Sequence, residues 1–404
     1  MTEAHPGRIS VAIAIGAVAW AAPSAAALTV LVPAKLAEIA PNDKVHLLAV
    51  VTIAGSVAAL LAAIGFGMVS DLTRSRFGAR SPWIVIGGVL ASCALLTLSV
   101  TDNFALLLVA WLVFQISLNA IISPLKAMLA DRVPVARLGR TSSIYGAATL
   151  VGFATGAVIG AQFLDRPNVG LRCFAAIVLI LPLVSVVVAR ELANLTDQRV
   201  RIDASTMLLA LRPPRHVPDF YWALAGRFGV MLGSSMITTF QLYILTDYAE
   251  LSLAEAGRIV GIGAVVTLGS SIVGSLVSGV LSDRVMRRKV PVVVASVIIA
   301  TAMVFPLLVP EAWAMLVFAA LSGLGMGVYY SVDIALMTEV LPNRHWRSRD
   351  LGILNISNAG GQSLAPGISS LVIAAGLGFA PVFAVAMAVT FIGGLSTLMI
   401  RAVK

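Results

Sequence analysis

Apolar residues fill this chain in long runs, broken by short segments rich in arginine, aspartate, proline and glycine. A helix needs roughly 20 such residues, at about 1.5 Å each, to cross a bilayer. Twelve runs predict spans near 9–33, 45–69, 83–101, 104–129, 139–163 and 171–189, then 220–246, 256–281, 290–309, 312–337, 351–375 and 379–400. The first follows Arg8 and has small residues at Ala25–Ala27, as a cleaved leader would, but its apolar run reaches Val32 and reads as a span. The stretch 190–218 is the longest polar one, with Arg190, Arg199, Arg201, Arg212 and Arg215 among three prolines. It divides the spans six and six. The expected organisation is an N-terminal bundle over 1–189, a cytoplasmic linker over 190–218 and a C-terminal bundle over 219–404.

Composition agrees with a membrane setting. Of 404 residues, 59% are hydrophobic and only 12% charged, too few charges to solvate the surface of a soluble chain this long. The formal charge of +9 would point to nucleic acid in a soluble protein, but here the basic residues sit in loops between apolar runs. With the N-terminus inside, inner segments hold 21 of the 28 lysines and arginines and outer segments hold 5 (Lys35, Lys44, Arg166, Arg172 and Arg258). That bias expects both termini in the cytoplasm. Scarce lysine beside abundant arginine is associated with a GC-rich bacterial source, so a bacterial cytoplasmic membrane is expected. Cys93 and Cys173 lie in or beside apolar runs and read as packing residues.

The two halves look like copies. After the second run comes Gly65-Phe-Gly-Met-Val-Ser-Asp71-Leu-Thr-Arg74-Ser-Arg76, with Arg80 beyond it. After the eighth comes Gly279-Val-Leu-Ser-Asp283-Arg284-Val-Met-Arg287-Arg288. A carboxylate there can cap a neighbouring helix or pair with arginine, in a contact that holds one conformation and breaks in another. A plain topology anchor would also carry arginines, but matching copies in two halves favour a switching role.

The repeated loop resembles that of the major facilitator superfamily, and the resemblance runs over essentially the whole chain. Three stretches, GFGMVSDLTRSRFGARSPW (Gly65–Trp83), VDIALMTEVLP (Val332–Pro342) and DLGILNISNAGGQSLAP (Asp350–Pro366), look like the branch of sucrose and glycoside–proton symporters. The resemblance implies an all-α membrane fold of twelve transmembrane helices in two pseudo-symmetric six-helix bundles. It implies alternating access, with the fourth, seventh and tenth spans lining the solute path. The chain departs from that branch in its first span, which has no acidic residue where the sucrose carriers have one; this weakens transfer of their proton site and sugar specificity.

Charges inside spans are costly and mark function. Lys126, Arg227 and Asp333 fall in the fourth, seventh and tenth runs, each about eight or nine residues from a cytoplasmic end, roughly 12–14 Å. Asp333 is the proton-coupling candidate and Arg227 its charge partner; the alternative is a static bridge between them. Lys126 has no acid nearby in its own half and reads as a cavity contact, with snorkelling as the alternative. The trio carries net +1, which leaves room for an anionic substrate. Further candidates for substrate binding are Gln115, Asn119, Gln241, Tyr329, Tyr330, Asn355, Asn358 and Gln362. Asn355, Asn358 and Gln362 share a helix face that could hold sugar hydroxyls or glue two helices. Gly152/Gly156/Gly160 and Gly323/Gly327 read as packing seams.

No P-loop and no H-E-x-x-H motif occurs, and the four histidines lie in loops or near span ends. An enzyme is not expected, nor a metal or other cofactor. The expected partners are a small molecule, protons and the lipid bilayer, with no nucleic acid, and the chain is expected to act as a monomer. Proton-coupled sugar or glycoside symport leads; proton-linked efflux of drugs or amphipathic metabolites is the alternative.

Overall fold

The structure is a computed structural model that describes residues 6–191, 193, 217–285, 289–340 and 347–401. Side chains at 279–285 and 347–356, and at a few other helical positions, lie outside that description, as does most of the expected linker. The chain forms two compact units, Met1–Ile202 and Asp203–Lys404. No strand occurs among the described residues. In a bilayer nothing but the chain itself can satisfy backbone N–H and C=O groups, so continuous apolar runs fold as helices.

The first unit holds α1 (Gly7–Ile39), α2 (Lys44–Leu72), α3 (Ser81–Val100), α4 (Phe104–Arg132), α5 (Val135–Ala161) and α6 (Pro167–Ala189). The second holds α7 (Pro218–Thr238 and Gln241–Tyr248), α8 (Leu253–Val285), α9 (Lys289–Leu308), α10 (Ala312–Val340), α11 (Arg347–Val372) and α12 (Ala380–Ser396). Ten described helices are long and apolar enough to cross a membrane, and bent α7 makes eleven. The twelfth, α11, has 26 residues, about 39 Å of helix, but its Asn and Ser content keeps it below the same measure.

Each unit repeats one packing scheme. In the first, α1 packs on α5 and α6, α2 on α4, and α3 on α4 and α6. In the second, α7 packs on α11 and α12, α8 on α10, and α9 on α10 and α12. Lipid is as apolar as a leucine side chain, so close approach of backbones rather than apolar burial must join these helices. Glycine seams supply it. A Cβ at Gly156 of α5 would stand 2.1 Å from the Ala22 carbonyl oxygen of α1, and one at Gly327 of α10 would stand 2.1 Å from that of Ser271 on α8. Gly226, Gly229 and Gly233 seat α7 against Gly393, Val389 and Ala386 of α12 in the same way.

Three details differ from the sequence expectation. The first span does not end near residue 33: after a π-helical turn at Ala27–Leu31 it runs on to Ile39. Lys35 is therefore not an outer-loop charge but a buried helical residue, 2% exposed. Its ammonium donates to Asp102 Oδ1 at 2.7 Å and Asn168 Oδ1 at 2.9 Å, tying the end of α1 to the α3–α4 turn and the start of α6. The seventh span is not one straight helix: it bends by 49° at Thr239–Phe240. The hydroxyls of Thr238 and Thr239 donate to the carbonyls of Ser234 and Ser235 in the turn before, a back-bonding that bends helices.

Candidate functional site

The second unit places Arg227 of α7 and Asp333 of α10 side by side. Arg227 Nη1 lies 3.2 Å from Asp333 Oδ2, with side chains 9% and 1% exposed. Both carboxylate oxygens and Arg227 Nε lack a well-aligned hydrogen bond among the described residues. Tyr329, one turn before Asp333 and itself buried, brings its hydroxyl close to the same carboxylate. Tyr330 is half-exposed, and its hydroxyl donates to Met231 Sδ, one turn beyond Arg227 on α7, at 3.6 Å. The two tyrosine rings meet edge to face at 6.0 Å. An ion pair held by one contact, with spare lone pairs and a phenol at hand, can take up a proton and rearrange. A fully bonded bridge would be harder to open.

Asn358 and Gln362 of α11 bind each other, Gln362 Nε2 donating to Asn358 Oδ1 at 3.2 Å, while Gln362 stays exposed. The side chain of Asn355 lies outside the described residues. Gln241 opens the second segment of α7, at the bend, where broken backbone favours polar side chains. In the first unit, Lys126 of α4 is exposed and has no ion pair or hydrogen bond among the described residues. Asn119 donates to the Gln115 carbonyl one turn before it, at 2.9 Å. Gln115 itself lies against Gly55 of α2.

The α2–α3 loop is built around Arg80. Its guanidinium donates from Nη1 to Ser70 Oγ at 2.7 Å and contacts Asp71 Oδ1 at 2.5 Å, and from Nη2 it reaches Asp131 Oδ2 at 2.8 Å. Burial opposes the Arg80 charge, but hydrogen bonds and attraction from Asp131 and Asp71 outweigh it and raise its pKa above the ordinary arginine value. One planar group thus joins the ends of α2 and α4. Glu191, which no sequence motif marks, completes the knot. Its Oε2 accepts from the amides of Arg80 at 3.0 Å and Ser81 at 2.7 Å, capping α3. Arg190 takes a left-handed φ of 44° to end α6 and turn the chain toward that loop. Arg74 bonds carbonyls of its own turn and Arg76 is exposed. Gly65 has no neighbour within 4 Å of a would-be Cβ, so no close backbone approach is made there. Asp283, Arg284, Gly279 and Arg287 of the second copy lie outside the described side chains.

Two repeated six-helix bundles, with charged groups buried in their helices and, in the first, a basic loop clamped between helix ends, define an integral membrane carrier. The Major Facilitator Superfamily profile matches residues 9–277 and 223–404, and the chain belongs to that superfamily. It is a family of transporters, not enzymes. Three solved structures share the fold. They are a bacterial homolog of the human lysosomal transporter Spinster (14% identity, 99% of each chain, TM-score 0.71), a nucleoside transporter (13%, 97% and 99%, 0.75) and a D-xylose–proton symporter (14%, 98% of each, 0.72). Identities this low speak to fold alone. A curated relative, the "Probable 4-methylmuconolactone transporter" of Cupriavidus pinatubonensis, is 31% identical over 157 residues, which span 38% of this chain and 35% of that protein.

Proposed function

We propose that this chain is a proton-coupled secondary transporter working by alternating access, with Asp333 as the group that takes the proton. The observation that carries this reading is the buried, under-bonded Arg227–Asp333 pair. Arg227 keeps its charge at any physiological pH, so the carboxylate is the member that titrates. A proton arriving at an Asp333 oxygen gives a neutral acid and leaves the guanidinium free for a substrate oxygen. Loss of that proton restores the pair.

Sugars and glycosides are the leading substrate class, by import. The resemblance of Gly65–Trp83, Val332–Pro342 and Asp350–Pro366 to glycoside symporters supports this, and the amides of Gln115, Gln241 and Gln362 suit hydroxyl binding. A second reading, transport of a small organic acid or lactone, is supported by Lys126, exposed and without an ion pair among the described residues, and by the partial match to a probable 4-methylmuconolactone transporter. Uptake of labelled sugars and organic acids into proteoliposomes, with and without an imposed proton gradient, separates the two. Accumulation of neither class under a gradient, with facilitated exchange intact, would remove proton coupling from the account. The orientation proposed is that of the charge bias, both termini cytoplasmic in a bacterial inner membrane.

A further inference from the structure

A cavity of about 370 Å³ opens at the start of α1 and α5, away from every residue assigned above. Its walls are apolar, from Val11, Ala14 and Ile15 of α1 and Ile144 of α5. Its rim carries two guanidiniums, Arg137 and Arg140, both exposed and neither with a side-chain partner among the described residues. Ser10 and Thr141 line it too, their hydroxyls 3.2 Å apart with either able to donate. No side chain caps the N-terminus of α5, which begins at Val135, so its first-turn amides add positive potential at the same end. The volume sits near the lower bound for small-molecule sites, roughly 300–1,000 Å³.

We propose that this cavity binds an anionic amphiphile. The guanidiniums of Arg137 and Arg140 take its phosphate or carboxylate oxygens, and the α1–α5 cleft takes its apolar chain. Paired arginines favour oxyanions because each presents a planar fork of donors, and two forks can share one headgroup. A loop that served only to fix topology would need the charges but no cleft beneath them. The ligand chemistry is common to two sources, an anionic membrane lipid and a small soluble amphipathic acid.

The full chain, purified in a non-ionic detergent, is titrated with phosphatidylglycerol, phosphatidylcholine and octanoate while thermal melting is followed. Phosphatidylglycerol should raise the melting temperature saturably and phosphatidylcholine should not. The double variant Arg137→Gln/Arg140→Gln should melt unchanged without ligand and bind at least tenfold more weakly. Ala14→Phe, which fills the cleft and leaves both charges, should weaken binding to a similar degree. Octanoate competing with phosphatidylglycerol identifies a soluble acid as a ligand; octanoate inert beside active phosphatidylglycerol assigns the site to lipid. Equal stabilisation by the two lipids, or wild-type affinity in both variants, overturns the proposal.

Discussion

Glu191 Oε2 accepts from the amide of Ser81 at 2.7 Å, joining residues 110 positions apart at the start of α3. Helix N-termini leave amides unpaired, and here the end of α6 rather than a local Ser or Asp supplies the acceptor. Glu191→Ala should cost about 1 kcal/mol, the usual worth of a cap. Transport should fall as the α2–α3 loop loosens. Thermal melting and uptake rate check both. A variant with unchanged melting would show that solvent serves the two amides as well as the carboxylate does.

Arg80 reaches three acceptors on two helices, a geometry that a planar fork can meet and a single ammonium cannot. Arg80→Lys should therefore cut transport roughly tenfold despite keeping the charge. Asp71→Ala should also impair transport while leaving expression largely intact, because Asp71 is half-exposed and its removal leaves Arg80 the bonds to Ser70 and Asp131. An ion pair to a half-exposed carboxylate is worth about 0–1 kcal/mol, so loss of Asp71 should not unfold the protein. Wild-type turnover in both would reduce this loop to a topology anchor.

The helices were legible because bilayer chemistry writes them in composition, run by run. Arg227 and Asp333 were legible for a related reason: charges inside apolar runs are scarce enough to stand out. Lys35 and Glu191 were not. Each owes its role to partners far along the chain, Asp102 and Asn168 for one and the α3 amides for the other, and no local spacing encodes such a meeting. Lys35 also reads as a loop charge because it follows an apolar run, whereas two further turns of helix carry it inward. The bend in α7 does have a signal in the sequence, the Ser-Ser and Thr-Thr pairs four residues apart.

Lys35 and Asp102 form an unequal pair, 2% and 83% exposed. Losing the exposed partner should hurt more than losing the buried one. Asp102→Ala strands a buried ammonium with only the Asn168 amide oxygen, and an uncompensated buried charge costs about 3–5 kcal/mol. Lys35→Met leaves Asp102 to water and keeps an apolar stem in place, so it should cost less. Melting temperatures of the two variants decide the order. The reverse order would mean that water reaches Lys35.

The Gly156 seam is a test of packing rather than chemistry. A methyl group there would meet the Ala22 carbonyl at 2.1 Å, and backbone cannot step aside as a side chain can. Gly156→Ala should cost at least about 1–3 kcal/mol through separation of α1 from α5. Gly146→Ala on the same helix, with nothing within 4 Å, should be harmless and even slightly stabilising. Equal melting of the two variants would show that α1 and α5 do not pack this closely in the membrane.

The coupling prediction turns on what Asp333 does when neutral. Asp333→Asn keeps the size and some hydrogen bonding of the side chain but removes its charge, imitating the protonated state for good. If the proton enters here, the variant should lose accumulation against a gradient and keep exchange of bound substrate, since the chemistry of binding survives while the cycle of charge does not. A static bridge has a different signature. Breaking one partner of a buried pair costs about 3–5 kcal/mol, so Asp333→Asn alone would melt early and Arg227→Gln/Asp333→Asn would recover stability. The two outcomes are separable because one is read in transport and the other in melting. Recovery of melting together with recovery of accumulation in the double variant would assign the pair to structure. Accumulation lost in both single and double variants, with exchange intact, would assign it to coupling. Wild-type accumulation in Asp333→Asn would remove Asp333 as the coupling site, leaving the carrier a uniporter or one coupled through another group.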